Sequence, residues 1–447
     1  MNKTILEPSR KIPVFDEADV LVIGSGPSGH SAAVAAARAG AQKIVLVERY
    51  GHLGGMATGG FVILIPHLSF GRTQIIKGLQ QEWIDRMEKL PNGAFGPERK
   101  DIGSRDSELI KKWAGYWGFV INENINYGSY LDPDMLKVVL DQMIEEQGDK
   151  ITTYLHCWGV DAIMDGDEIK GVIIESKEGR KAIMAKVVID CTGDADICAF
   201  AGGTYEDDRD MDLRSANTAS VYRLGGVDYA TFAGWKVPNT KEWYGVHMQN
   251  LQKITGFKMS PQACPYNDQS WINNWIPKYC LDIKDLTETE MSVRRTMFEA
   301  IDYLKKNIPG FKDAYLIDIA PQTGTRGSRR IHGEYQITKA DLDNTYEHED
   351  TISVVAPFNF NICQTPTEIP YRVMVPQKIE NLLVAGRSFS STREANDWSN
   401  LIPHCACLGQ AAGIAAAVSL ADETTVRAVD VKKVQKVLKE QNAYLPR

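Results

Sequence analysis

Asp19 to Gly60 reads DVLVIGSGPSGHSAAVAAARAGAQKIVLVERYGHLGGMATGG. A short apolar run, Val20–Ile23, leads into Gly24-Ser25-Gly26-Pro27-Ser28-Gly29. An alanine-rich segment follows, and then a second apolar run, Ile44–Val47, that ends on Glu48. This order predicts strand, turn, helix, strand, and it gives each glycine a mechanical task. Gly24 makes the tight turn, Gly26 lets backbone N–H groups approach a pyrophosphate, and Gly29 lets helix and strand pack closely. Pro27 and Ser28 open the helix, whose N-terminus faces the phosphates with its partial positive charge. Glu48 lies 19 residues beyond Gly29, where an acid accepts the hydroxyls of an adenosine ribose. The stretch is expected to bind a dinucleotide.

The residues after Glu48 decide which one. Arg49 to Gly60, RYGHLGGMATGG, is a second glycine-rich loop with Gly54, Gly55, Met56 and Ala57 at its centre. A nicotinamide-binding fold has no need of it. FAD lies extended, so its ribityl and flavin parts need backbone access beyond the second strand. With this loop the chain resembles the glutathione-reductase-type FAD superfamily. More narrowly, it resembles the FAD-dependent oxidoreductase family related to fumarate reductase flavoprotein subunits. The resemblance implies an α/β chain with a Rossmann-like FAD-binding domain, a mostly parallel sheet plus a β-meander. An inserted α+β substrate or cap domain completes it.

Further blocks carry the same resemblance. Leu131-Asp-Pro-Asp134 opens a helix to about Gln147, with Asp as cap and Pro133 early in the first turn. Three apolar runs, 151–163, 168–176 and 180–189, are separated by Asp165-Gly166-Asp167 and Lys177-Glu178-Gly179, the signals of a meander. They end in VVIDCTGDAD, residues 187–196. There the resemblance places Thr192, Gly193 and Asp194 along the cofactor, with Val160 on the first run as a further contact. Asp196 reads as a helix cap. Residues 320–335, APQTGTRGSRRIHGEY, are similar to the family's R-x-S-R-R-I-x-G-E-Y signature. Arg326 and Arg329 are three apart, so a helical turn would pair their guanidinium groups for a substrate carboxylate. Salt bridges between domains are the alternative. In the last block, Asn381–Arg387 reads as the return strand, ending on Gly386 and Arg387, and 404–420 as the closing helix. Gly409 and Gly413 keep one face of that helix thin for packing on the sheet. In the resemblance Leu401 and Ile402 lie at its N-terminus beside the flavin, where the helix dipole favours negative charge on the reduced ring. Aromatic hydroxylases of the superfamily carry Gly-Asp where this chain has Gly386-Arg387, which argues against that branch. The 396–400 stretch departs from the small, glycine-containing loop expected there.

The chain has 447 residues, 43% apolar and 24% charged, room for two or three domains with a large core. The expected divisions are 17–204 for the first part of the FAD-binding domain, with an insertion at about 69–126. A substrate or cap domain follows at 205–350, and the C-terminal closure of the FAD-binding domain at 351–447. Residues 1–16 read as a polar lead-in, 74–89 as an amphipathic helix, and 286–307 as a long helix capped by Thr287. A net charge of −8 argues against nucleic acid or an anionic membrane as partner. No signal peptide and no membrane span is read, so a cytoplasmic protein is expected. The eight cysteines, at 157, 191, 198, 264, 280, 363, 405 and 407, form no C-x2-C pairs and are expected as reduced thiols without a metal. On a helix, Cys405 and Cys407 would diverge.

The function expected is an FAD-dependent oxidoreductase that exchanges a hydride between flavin N5 and a small organic substrate, a carboxylate-bearing one in the reading that uses the arginines. His404, at the start of the flavin-facing helix, is the candidate acid–base, with Arg326 and Arg329 as anchors. His67 and Arg393 are weaker candidates. NAD(P)H or a protein is an expected electron partner. The alternatives are an FAD-holding electron-transfer subunit fed by a protein partner, or a non-redox, thiazole-synthase-like flavoprotein. No cysteine insertion for an iron–sulfur cluster accompanies the first alternative.

Overall fold

A computed structural model describes residues 4–207, 217–344, 346–356 and 365–446. Cys363 lies outside these residues. Strand β1 is Val14–Ile23, helix α1 Pro27–Arg38, and β2 Ile44–Val47. Helices α2, Leu79–Met87, and α3, Pro133–Glu145, precede β3, Ile151–Tyr154. Strands β4, Trp158–Asp165, β5, Glu168–Ser176, and β6, Gly179–Asp190, come next.

The order β3-β2-β1-β6 is parallel, and β6-β5-β4 is antiparallel. β6 divides its edge between two partners. Its first half pairs with β5, and Val188–Asp190 pairs in parallel with a strand from the far end of the chain, Leu382–Val384. The fold is the expected α/β arrangement, with two local differences. β1 begins at Val14 inside the supposed lead-in, because Val14 to Ala18 finds backbone partners on Ala182 to Ala185. The apolar run 151–163 is two strands, not one. The chain breaks at His156, whose φ is +57°, a conformation unfavourable for a residue with a β-carbon.

Between the halves of this unit lies a second sheet. Its strands are β7, Tyr222–Gly225, β8, Lys258–Ala263, β9, Gln269–Trp275, and β10, Tyr315–Ile319, in the antiparallel order β8-β9-β7-β10. Helix α4 is Tyr229–Lys236 and α5 is Ile283–Asn307. α5 buries Val293, Met297, Ala300, Ile301 and Leu304, one stripe at helical spacing, against this sheet's core. Its cap is Asp282, which accepts from the N–H groups of Lys284 and Asp285. Thr287 instead donates back to the Ile283 carbonyl at 2.7 Å, inside the helix. Arg223 of β7 ties the second sheet to the start of α3. Its Nη2 donates to Asp134 at 3.0 Å, and its Nε to Asp318 at 3.0 Å. The 69–126 segment feeds both cores. Leu79, Trp83 and Met87 pack with α1 and α3, whereas Trp113 and Phe119 pack with the second sheet.

The chain closes with β11, Leu382–Val384, helix α6, Ile402–Ala421, and helix α7, Val431–Glu440. The thin face of α6 meets α1 rather than the sheet. A β-carbon on Gly409 would lie 2.0 Å from the Ser28 carbonyl oxygen, and one on Gly413 2.1 Å from that of Ala32. α6 is long and apolar enough to cross a membrane, contrary to the sequence expectation that no stretch would be. However, 83% of its apolar window is buried inside the protein. α1 and α6 fill each other's grooves with alanine and glycine, so their backbones touch.

Candidate functional site

At the C-terminal ends of β1, β2 and β6 a cleft with about 1200 Å³ of empty space runs toward the second sheet. This is where ligands bind in an open α/β sheet. Its first wall is the glycine turn. Gly24 has φ +90°, and a β-carbon there would sit 2.5 Å from the Cys191 carbonyl oxygen, so the end of β6 excludes every side chain. A β-carbon on Gly29 would sit 1.7 Å from the Gly24 carbonyl oxygen. At Gly26 it would meet nothing within 4 Å. Gly26 is also the N-cap of α1 and offers no side-chain hydrogen bond, so the helix's first N–H groups are left to the cleft. Pro27 and Ser28 line the cleft, and Gly29 does not.

Glu48 is buried at the tip of β2. It accepts from Ser25 N at 2.8 Å, Ser25 Oγ at 2.7 Å and Tyr50 N at 2.9 Å, which fixes its carboxylate at the cleft wall. The Arg49 guanidinium lies 5.0 Å from the Tyr50 ring and 5.2 Å from that of Trp158, a cation between two rings. The second glycine loop rests on the first. Gly54 N donates to Ser25 O at 2.9 Å, and a β-carbon on Gly55 would lie 2.8 Å from the Gly26 α-carbon. Gly55 and Met56 line the cleft, while Gly54 and Ala57 stand behind it. An extended dinucleotide fits this set: an open glycine, an uncapped helix start, a fixed acid and a second loop of backbone.

The floor comes from the end of β6. Asp190 is buried and accepts from Thr192 N and Oγ1 and from Cys198 N, at 2.7 to 3.0 Å. Burial pushes its carboxyl up to about 6. Thr192 and Gly193 line the cleft, and Gly193 lies against the guanidinium of Arg387, another lining residue. Asp194 is turned away from the cleft. Burial raises a carboxyl, but here the Arg387 charge and hydrogen bonds from Ser328, at 2.6 Å, and Arg387, at 2.8 Å, hold it low. Gly386 packs on Ser28 and does not line the cleft. Asp196 does line it, and it is no cap. The N-cap of its short helix is Ala195, and Asp196 pairs with Arg329 at 2.8 Å. Leu401 and Ile402 border the cleft at the start of α6, a second helix N-terminus without a side-chain cap. Val160 does not line the cleft. Its neighbours Cys157, Trp158 and Gly159 do.

The far wall belongs to the arginine segment. No helix forms there: Gly324–Thr325 and Arg329–Ile331 are strands, so Arg326 and Arg329 are not paired. Arg326 lines the cleft. It donates to Asn273 Oδ1 at 2.8 Å and Asn274 O at 2.9 Å, with Trp275 5.1 Å below its guanidinium. Arg329 binds Asp196 and the Asp194 carbonyl, and Arg330 binds Glu206 and the Ser391 carbonyl. Those two are cross-links.

His404 is enclosed, 1% exposed, and outside the cleft lining. It lies beside His67, also buried, whose ring burial and the neighbouring His404 push down to about 3. Arg393 pairs with Glu394 at the surface. Cys405 faces the cleft, whereas Cys407 points toward Ser353. Among the described residues no group of His, Cys, Asp and Glu is placed to hold a metal.

Sequence reasoning missed Trp158 and Gly159, Gln322, Gly324 and Thr325, and Ala219, Asn400 and Cys405. No sequence signal marked the first pair, because the break at His156 shows only in its φ of +57°. Alternation was the signal for Gln322, Gly324 and Arg326, which share one face of an extended segment.

A profile of the family described as FAD dependent oxidoreductase matches residues 19–438. No curated protein sequence matches the chain. Among solved structures, it is similar to a geranylgeranyl bacteriochlorophyll reductase-like protein from Thermoplasma acidophilum. That pair shows 16% identity over 95% of this chain and 83% of the other, with a TM-score of 0.49. A p-nitrophenol 4-monooxygenase from Pseudomonas putida shows 11% identity over 95% and 84%, with a TM-score of 0.46. A myxobacterial chondrochloren halogenase, FAD-dependent by its description, shows 12% identity over 95% and 79%, with a TM-score of 0.45. These likenesses are loose.

Proposed function

The chain belongs to the FAD dependent oxidoreductase family, and from that premise we propose that it exchanges a hydride between flavin N5 and a small, carboxylate-bearing organic substrate. FAD, when bound, supplies the two-electron acceptor or donor. The residues proposed to hold it are those that line or shape the near wall: Gly24, Gly26, Pro27, Ser28 and Gly29, Glu48 and Arg49, Gly55 and Met56, Thr192 and Gly193, and Arg387, Leu401 and Ile402. Trp158 is added to this set and Val160 is not.

The observation that carries the reading is Arg326. It is a guanidinium on the wall opposite the flavin loops, held by the amide of Asn273, the carbonyl of Asn274 and the face of Trp275. Held so, it keeps a fixed direction and anchors an anion. Arg329 is not assigned a catalytic role, because its charge is spent on Asp196. His404 is not assigned one either, because it is sealed from the cleft. In this proposal 17–204 and 351–447 hold the cofactor and 205–350 covers the substrate, although Ile331, Ile337 and Leu342 of the last range pack in the cofactor-side cores. The 69–126 segment bridges them. A closer kinship with fumarate reductase flavoprotein subunits rests on the order of the sequence blocks alone.

An anaerobic visible-absorbance titration of the purified protein tests the reading, first with NADH and NADPH and then with small acids, alcohols and amines. Bleaching of the flavin band by a carboxylate-bearing substrate, at concentrations that rise in Arg326→Met, is the expected result. Bleaching only by neutral substrates, unaffected by Arg326→Met, removes the anchor. A yellow protein that nothing small reduces points to a protein electron partner.

A further inference from the structure

The far wall of the cleft holds a polar side chain besides Arg326. Gln322 lies four residues earlier on the same face of the extended segment, and both residues line the cleft. Gly324, between them, has no side chain to separate their heads. Gln322 is 7% exposed, and neither end of its amide has a hydrogen-bond partner among the described residues. Its polar neighbours on this wall are engaged. Thr325 Oγ1 accepts from Arg387 at 2.6 Å, and Asn400 Nδ2 donates to the Arg326 carbonyl at 3.1 Å. A buried polar group left unpaired is costly, so an unbonded amide on a ligand-sized cleft calls for a partner that enters the cleft. We propose that Gln322 selects the substrate: a hydroxy acid, or the oxo acid it becomes, with its carboxylate on Arg326 and its second oxygen on the Gln322 amide. The assignment rests on the anchoring role given to Arg326 above.

The local backbone fixes where this amide sits. Gln322 N donates to the Gly59 carbonyl at 3.1 Å, which ties the residue to the second glycine loop. The point where a β-carbon on Gly59 would stand is 2.9 Å from Gln322 Oε1 and 2.4 Å from His52 Nε2. The missing side chain therefore makes room for ring and amide side by side. Oε1 is the enclosed end, beside His52, which leaves the amide nitrogen toward the cleft. The His52 ring stacks on Tyr50 at 5.6 Å, and its Nε2 is enclosed without a partner among the described residues. Burial pushes its protonation below the ordinary 6.5, so the ring is neutral at pH 7.

A neutral imidazole nitrogen offers a lone pair in one tautomer and an N–H in the other. An amide turned through half a rotation likewise exchanges donor for acceptor. With N–H outward, Gln322 donates to a carbonyl oxygen; with its oxygen outward, it accepts from a hydroxyl. Those are the two ends of one oxidation. The C–H bond of the alcohol carbon breaks with its electron pair passing as hydride to the flavin. The O–H bond breaks with its proton leaving to solvent, and the carbonyl double bond forms. One amide, with His52 as its positioning residue, serves both forms.

Flavin difference spectroscopy on the anaerobic, FAD-loaded protein tests the assignment, with butanoate and its three monohydroxy derivatives as probes. An acid that bleaches the band is scored by its half-bleaching concentration. Expected is binding of one hydroxy acid at least about tenfold tighter than butanoate, the contribution of one hydrogen bond. Gln322→Leu should bring that acid to the level of butanoate and leave butanoate unchanged. His52→Phe keeps a ring on Tyr50 and should lower the preference while flavin content and butanoate binding stay as in the parent. Arg326→Met should weaken all four acids alike. A parent protein that binds all four equally overturns the assignment, and this comparison needs no variant to fold. So does a preference that survives Gln322→Leu. If the hydroxyl makes no difference while Arg326→Met weakens every acid, the anchor stands and the Gln322 role alone falls. If Arg326→Met weakens none, or no acid binds, the anchor falls and the hydroxy-acid assignment falls with it.

Discussion

The cleft wall at residues 24–29 works through missing side chains, whereas the segment 322–330 works through large ones, Arg326 at the cleft and Arg329 and Arg330 cross-linking behind it. On the first, one β-carbon at Gly29 would overlap backbone 1.7 Å away, and no neighbouring rotamer can relieve it. On the second, three arginines reach three different partners, and each contact is made by a flexible chain end. The backbone wall is therefore intolerant and specific to one ligand class. The other wall carries Arg326, which the proposed function makes the substrate anchor.

The largest break in this comparison is Gly29→Ala. A loss of about 3 kcal/mol or more in unfolding free energy, with no flavin retained, is expected in denaturant titration. A folded, yellow variant would mean the backbone wall is softer than its geometry.

The next effect is pH-linked and lies on the helix behind the same wall. Burial holds His30 down to about 4, below its ordinary 6.5. The unfolded chain therefore takes the proton first, and stability falls as pH drops from about 6.5 to about 4. His30→Gln should flatten that slope by about 2–3 kcal/mol across the window, read from denaturation midpoints at each pH. Asp190, raised to about 6, works in the opposite sense, losing stability as pH rises from about 4 to 6.

A smaller pair of changes separates the arginines. Arg329→Met leaves Asp196 uncompensated, and about 1–2 kcal/mol of stability should go, with KM unchanged, because the pair is partly screened by solvent. Arg326→Met should leave the melting temperature nearly unmoved and raise KM for an anionic substrate about tenfold. The reverse pattern would exchange their roles.

The smallest contrast is on α5. Asp282→Ala should cost about 1 kcal/mol and Thr287→Ala almost nothing, by thermal melting.

Legibility in the sequence divides along the same line. Val20–Ile23, the turn at Gly24 and Ile44–Val47 were readable because their geometry is local: each residue's task is set by the neighbours next to it in sequence. The destinations of Arg326 and Arg329 were not, since Asn273 and Asp196 lie 53 and 133 residues away. A spacing of three means adjacency only on a helix, and the segment is extended. Val14 to Asp16 reads as polar lead-in because strand pairing uses backbone, which polar residues have too. Trp158 was hidden by a break that only the φ of His156 discloses. The Thr287 cap failed because Asp282, five residues earlier, was an equally good start signal and is the true N-cap.

The contact between α1 and α6 also sets an order of events during synthesis. Gly409 and Gly413 touch Ser28 and Ala32, so the helix that opens its first N–H groups to the cleft has no roof until residues 402–421 have left the ribosome. Non-local closure of this kind is slow. The nascent glycine turn must wait, its apolar helix uncovered, through some 370 further residues. Ending the chain before Leu401, which removes this roof, should abolish FAD capture, read from the flavin absorbance of the purified protein, although every glycine of the 24–29 turn is intact.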